Sequence, residues 1–330
     1  MNVVHTKTEP VMIIGHGSSG TSILTRLMRD YLNVAFGTES QFIIHYYNRL
    51  PMYGDLNDDG NLRALVEHIL RERWFERCGK WGFATDVDAV FADVKSRTYR
   101  GVLDATFGQL AKHFGHTRWG DKTPEYTHHL ATIGELFPDA QYIHMVRDGR
   151  DVALSVSNRY WGHKNVYCAA HEWKHEVSQV DAFTDTLRGD QVIEISYEGL
   201  LANPVDTFAK IVGFLEIDDS KGTLRHRIEN ELPGDLNRGN FDKWKTQWSQ
   251  QQQLSFERIA CDVLARHGYD TILEEPDAND NPLKKLYWHA DNRVRKWMYA
   301  DYWKDNLYKA KLRTRNAARR VQSALNAPAK

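Results

Sequence analysis

Three short apolar runs, and the helical periodicities that follow them, frame the chain. Val11–Gly15 reads as a buried strand entered through Pro10, Tyr142–Val146 as a second and Val192–Tyr197 as a third. Behind the first, Ser19–Asn33 places Ile23, Leu24, Leu27, Met28 and Tyr31 on one helical face. Asp148–Ser157 opens a helix after the second strand. Asn203-Pro204 starts one after the third, with proline at the favoured first position. Residues 36–60 are loop-like, carrying Gly37, Pro51 and Gly54, and two or three helices are predicted over 61–116. Ser255–His267 is a further helix, stopped by Gly268. Strands alternating with helices predict an α/β fold, a parallel sheet with helices on both faces.

The pattern changes after Glu274-Glu275-Pro276. From Leu283 onward, Tyr287, Val294, Trp297, Met298, Tyr302, Tyr308 and Leu312 recur at steps of three or four, or small sums of them. This predicts an amphipathic helix over 283–312 with an aromatic stripe and a basic opposite face. Residues 313–330 lose their apolar positions and read as frayed or disordered. The expected organisation is a domain over 1–280 and a helical extension over 281–330.

Charge sharpens this division. The net charge of −1 conceals +10 in residues 281–330 and −11 in residues 1–280. An acidic body argues against nucleic-acid binding. The basic, aromatic stretch leaves three fates open: docking on the protein's own body, pairing with a second copy, or lying on an anionic membrane surface. At 330 residues, 42% hydrophobic and 26% charged, the chain can bury a sizeable core. Cys78, Cys168 and Cys261 are too far apart for a disulfide framework or a zinc spacing. No signal-like N-terminus and no 18-residue apolar run occur, so a cytoplasmic protein is expected, with membrane association through 283–312 as the open alternative.

Met12-Ile13-Ile14-Gly15-His16-Gly17-Ser18-Ser19-Gly20-Thr21-Ser22 has the layout of strand, glycine-rich turn and helix start found in phosphate loops. Gly15 and Gly20 keep the nucleotide-triphosphate spacing, but Thr21 and Ser22 follow directly, with no lysine. The loop would hold a phosphate through backbone N–H groups and hydroxyls at a helix N-terminus. Such a loop is poorly equipped to move a γ-phosphoryl group. It implies a three-layer, P-loop-like fold and a phosphate-bearing donor other than ATP. A second candidate site is Arg147 through Ser155: an arginine at the end of a buried strand and a serine two helical turns on, both suited to phosphate.

These residues carry a resemblance. The chain resembles the sulfotransferases that use 3′-phosphoadenosine 5′-phosphosulfate (PAPS), in a bacterial-type form of their carbohydrate and tyrosylprotein branch. Gly15–Ser22 resembles the family's 5′-phosphosulfate loop, and Arg147–Ser155 its 3′-phosphate motif. Trp119 through Tyr126, with Lys122-Thr123-Pro124, resembles the K-T-P segment. Ile195 through Leu200 with Asn203-Pro204 resembles the Y-E-x-L-x-x-x-P element. Arg238-Gly239 through Trp244-Lys245 is similar to the stretch near the donor's 3′-phosphate. The five pieces occur in the family's order over residues 11 to about 270 and leave 281–330 uncovered.

The resemblance implies transfer of a sulfuryl group from PAPS to an acceptor hydroxyl, with adenosine 3′,5′-bisphosphate (PAP) as product. In that reading Gly17, Ser18, Ser19, Gly20, Thr21 and Ser22 hold the 5′ end. Arg147, Ser155, Arg238 and Gly239 hold the 3′-phosphate, and Tyr197 and Trp244 shape the adenine pocket. Lys122 neutralises charge as the bond breaks and Glu39 is the general base, with His45, His16 and Asp121 as alternatives. Most relatives carry lysine or arginine at the position of Ser18, so either another cation replaces it, with Lys122, Arg26 and Arg159 the candidates, or donor binding or turnover is weak. The fifteen histidines, including His113, His116, His128 and His129, complete no metal spacing, and no metal is assigned. The expected acceptor is a carbohydrate or glycolipid hydroxyl, in a cleft where Phe42, Tyr46, Tyr47, Trp74, Tyr160 and Trp161 are candidates. The rivals are a nucleotide or metabolite kinase, and a non-catalytic nucleotide-binding homologue decayed at Ser18.

Overall fold

The computed structural model describes residues 4–277, 281–299, 301–304 and 307. They pack as two compact units. One is built from residues up to Asp148 and from His175–Asp242, the other from Gly149–Lys174 and from Lys243 onward.

The first unit carries the strands β1 (Val4–His5), β2 (Val11–Ile14), β3 (Val34–Phe36), β4 (Arg118–Asp121), β5 (Gln141–Val146), β6 (Val192–Ser196) and β7 (Ile217–Asp218). Five of them form a parallel sheet in the order β3-β4-β2-β5-β6, while β1 and β7 make a separate antiparallel pair. Side chains alternate across β2, and both faces are buried. Met12 and Ile14 enter a core with Phe107 and Trp119, whereas Val11 and Ile13 enter another with Leu24, Ile143 and Met145. The result is the expected three-layer arrangement, with an all-apolar central strand covered on both sides.

The chain builds outward from β2 to β3 and back to β4, then crosses to β5 and β6 on the other side. That reversal places the topological switch point beside β2, and open α/β sheets bind ligands at the carboxyl ends of the strands flanking such a point.

Two of the five strands leave almost no trace in the apolar pattern. β3 has three residues and follows Asn33, which ends the preceding helix in the left-handed region at φ 52°. β4 reads Arg-Trp-Gly-Asp, yet all four residues are buried. Arg118 is tolerated there because it donates to the Glu9 carbonyl at 2.5 Å and to Gln141 Oε1 at 2.6 Å. Burial lowers its pKa to about 10. Elsewhere the expected loop over 36–60 contains a short helix, Ile43–Tyr47, and 61–116 holds four helices. The helix expected from Ser255 begins at Gln250, because Ser249 and Gln252 cap its N-terminus reciprocally.

The second unit is helical. Gly149 packs where a Cβ would overlap Trp173 and Phe256, so the turn into the helix Gly149–Ser157 tolerates nothing larger. Arg150 forms a buried ion pair with Glu257 at 2.9 Å and lies over the Trp244 ring at 3.8 Å. A cavity of about 490 Å³ in this unit is lined by Tyr167, Trp248, Arg258, Lys284 and Trp288 among others. The expected C-terminal helix is Pro282–Trp297, capped by the Asn281 side chain. Tyr308, Leu312 and residues 313–330 lie outside the described residues. Among the described residues, no helix is long and apolar enough to cross a membrane.

Candidate active site

Residues following each of the five parallel strands contribute to one edge of the first unit. After β2, the chain turns through Gly15 and Gly20 into the helix Thr21–Leu32. Gly20 adopts φ 91°, and a Cβ there would run into the Tyr197 ring. Ser18 also lies in the left-handed region, at φ 68°. The helix starts with neither a side-chain cap nor an acidic residue in its first turn. That N-terminus is suited to an anion. Ser19 and Thr21 are buried, Gly17, Ser18 and Gly20 are half-buried, and Ser22 is exposed.

Lys122, just past β4, donates to Ser22 Oγ at 3.2 Å and to Glu39 Oε1 at 2.6 Å. The lysine is 9% exposed and the glutamate 36%. Glu39 lies on the loop after β3, and that loop is held from several sides. Trp74 Nε1 donates to the Thr38 carbonyl at 2.9 Å and Arg77 to the Glu39 carbonyl at 2.8 Å. The Ser40 amide donates to Thr123 Oγ1 at 3.0 Å, and its hydroxyl reaches Asp121 Oδ2 at 3.1 Å and Tyr126 Oη at 2.8 Å. Burial raises the Asp121 pKa to about 6, against the opposing hydrogen bonds from Thr123 and Ser40 and the charge of Lys122.

Arg147 follows β5 and Tyr197 follows β6. The guanidinium donates to the Ser18 carbonyl at 3.0 Å and the Asn240 carbonyl at 3.2 Å, and lies 4.3 Å from the Tyr197 ring centroid. Asn240 Nδ2 in turn donates to Tyr197 Oη at 2.6 Å. Glu198 accepts from the Asp148 amide at 3.1 Å, which fixes the turn after Arg147. Arg238 and Gly239 are exposed two residues and one residue before Asn240. Ser155, half-buried on the helix Gly149–Ser157, and Trp244, buried against Arg150, belong to the second unit. The Trp244 amide donates to Asp151 Oδ1 at 3.1 Å.

Among the candidate substitutes for a cation at Ser18, Lys122 touches the loop. Arg26 instead donates to the Asp235 carbonyl at 3.0 Å, and Arg159 lies in the second unit. Of the alternative bases, His16 faces the Gly17 carbonyl and Glu176, at 2.5 and 3.6 Å. His45 faces Arg49 at 3.2 Å, and Asp121 is committed to Ser40 and Thr123. Ligand atoms of His144, Asp181 and Glu194 converge within 4.8 Å, a grouping the sequence spacing did not suggest.

The expected aromatic cleft does not form as drawn. Phe42, Tyr46 and Trp74 are core residues, with Phe42 edge-on to Trp74 at 6.1 Å and stacked on Phe107 at 5.8 Å. Phe42 and Tyr46 fall in a stretch whose sequence reads as loop, which hides their burial, and Trp74 holds the Glu39 segment through the Thr38 carbonyl. Ser40, Tyr126, Glu198 and Asn240 are not among the expected site residues, although Ser40 follows Glu39 and the other three lie within quoted motifs. The signal was adjacency to those motifs, and only the three-dimensional contacts give each residue its task.

Comparison with known proteins agrees with this geometry. The profile described as "Sulfotransferase family" matches residues 10–221. A Caenorhabditis elegans protein provisionally named a protein-tyrosine sulfotransferase is 26% identical over 180 residues, 48% of this chain and 67% of its own length. The Drosophila melanogaster protein-tyrosine sulfotransferase is 27% identical over 179 residues, 48% of this chain but 35% of the fly protein. In fold, the sulfotransferase domain from the curacin biosynthetic pathway superposes with a TM-score of 0.52 at 19% identity, covering 80% of this chain and 99% of that one. The domain from the Synechococcus PCC 7002 olefin synthase gives 0.50 at 18% identity, with 80% and 97% covered. The chain belongs to the sulfotransferase family and is a transferase acting on a hydroxyl-bearing acceptor.

Proposed function

We propose that the enzyme moves a sulfuryl group from PAPS to a tyrosine hydroxyl on a protein or peptide. One observation carries the reading: a single ammonium, that of Lys122, reaches both the first turn of the phosphate-loop helix and a carboxylate.

The acceptor oxygen attacks sulfur in line. The bond from sulfur to the 5′-phosphate oxygen breaks, and its electron pair leaves with PAP. Glu39 takes the acceptor's proton, and Lys122 balances charge on the bridging and sulfuryl oxygens. An ammonium has three donors, so bonds to Ser22 and Glu39 leave one for the donor. Loop N–H groups from Gly17 to Thr21, with the hydroxyls of Ser19, Thr21 and Ser22, hold the 5′ end. The uncapped helix N-terminus fits that anion. Lys122 also supplies the cation that Ser18 lacks.

Arg147 and the Arg238-Gly239 segment bind the 3′-phosphate and Tyr197 shapes the adenine pocket, while Ser155 and Trp244 are given the same tasks by the family motifs alone. Positioning and electrostatics dominate, as in phosphoryl transfer, and the step needs no metal.

The named relatives support a tyrosine hydroxyl and lend nothing to a sugar or glycolipid. The test is transfer of label from PAPS to tyrosine peptides in excess EDTA, with oligosaccharides in parallel. Labelled tyrosine in wild type and loss in Lys122→Met support the proposal. Label on the sugars alone would overturn the acceptor, and loss of transfer in EDTA restored by Mg²⁺ would overturn the metal-free step.

A further inference from the structure

The helix Pro282–Trp297 is attached to its unit by the face opposite its apolar stripe. Asn292 is 7% exposed; its Oδ1 accepts from the Lys164 amide at 2.7 Å, and its Nδ2 lies 2.9 Å from His163 Nδ1. Trp288 stacks on Tyr167 at 6.2 Å, and its carbonyl accepts from Asn165 at 2.8 Å. At 3.6 residues per turn, Leu283, Leu286, Tyr287, Val294, Trp297 and Met298 fall in an arc of about 120° centred away from Asn292. That arc is in solvent: Leu286 is 68% exposed, Val294 56% and Met298 81%. Outside residues 283–307, the described residues expose only Met52, Trp161 and Ile272 among large apolar side chains.

A surface helix normally turns its apolar stripe inward. This one does the reverse, so docking of the stripe on the protein's own body does not hold among the described residues. On the helical wheel, Arg293 borders the stripe on one side; on the other, Asp291, which accepts from Arg295 at 2.8 Å, comes before Lys284. Residues 281–330 together carry +10. Protein interfaces are depleted of lysine at their cores. An apolar strip with tryptophan and tyrosine, flanked by Arg293 on one side and by Lys284 and an Arg295-paired Asp291 on the other, instead matches a helix lying in a bilayer interface. There the strip sinks among acyl chains while lysine and arginine reach the phosphates.

We infer that the outward face of the helix Pro282–Trp297 docks on an anionic membrane surface. The full chain is pelleted with vesicles of phosphatidylcholine alone or mixed with phosphatidylglycerol, beside a Leu286→Ser/Val294→Ser variant that keeps every charge. The expected result is pelleting on anionic vesicles, weaker on neutral ones and at high salt, with partitioning of the variant lower by about tenfold or more. Thermal melting checks that both exposed substitutions leave the fold intact. Equal pelleting of the two proteins would overturn the inference, since tail charge alone would then suffice. So would a wild type that stays in the supernatant but forms a concentration-dependent dimer lost in the variant, which would assign the face to a second copy.

Discussion

Lys122 and Glu39 leave the ends of neighbouring parallel strands and meet at 2.6 Å. The lysine follows β4 and the glutamate follows β3, so the sheet itself sets the pairing. Because the same ammonium reaches Ser22, the candidate base is tied to the phosphate loop before any donor binds.

Removing either partner is expected to act on turnover more than on donor affinity. Lys122→Met should lower kcat by about 10²–10³-fold, and Glu39→Gln by about 10²–10⁴-fold. The double variant should lose much less than the product of the two, because they act as a unit. Steady-state rates at saturating donor check this, and fully additive losses would separate the two roles.

Gly20→Ala tests the phosphate loop. Its backbone at φ 91° and its contact with the Tyr197 ring both oppose a side chain. The substitution should cost about 1–3 kcal/mol of stability and abolish measurable PAP binding. Chemical denaturation and titration read the two effects separately.

Asp121 makes stability depend on pH in an unusual direction for a carboxylate. Its native pKa is raised to about 6 from the ordinary 3.8, so the folded protein keeps a proton that the unfolded chain releases. Its contribution to stability is therefore greatest in acid, falls as pH rises from about 4 to about 6, and is level above that. Asp121→Asn retains acceptor capacity for Ser40 and Thr123 and should flatten that slope. Melting temperatures from pH 4 to 7 for both proteins provide the check.

Legibility of the fold followed burial on both faces. β2 and β5 appear as apolar runs because both of their faces are buried, β6 shows through Val192, Ile193 and Ile195 although it is an edge strand with only Ile195 fully buried, and the phosphate loop follows from its glycines. β3 and β4 escaped, the first for its three residues and the second because Arg118 and Asp121 are buried with hydrogen-bonding partners rather than replaced by apolar side chains. Motif strings located Lys122, Glu39 and Arg147. They could not show that Asp121, Thr123 and Tyr126 secure the glutamate's loop, since those contacts join residues about eighty positions apart. The helix Pro282–Trp297 was legible as amphipathic, but the face it would present to solvent was not, because docking through Asn292 reverses the usual rule.

The most direct test of the account is calorimetric titration of the full chain with PAP and, separately, with 5′-AMP. PAP should bind more tightly by about tenfold or more, as expected for charge-assisted bonds to a second phosphate. That preference should vanish in Arg147→Ala. Equal affinity of the wild type for the two ligands would contradict it, because a site indifferent to the 3′-phosphate would not be a PAPS site.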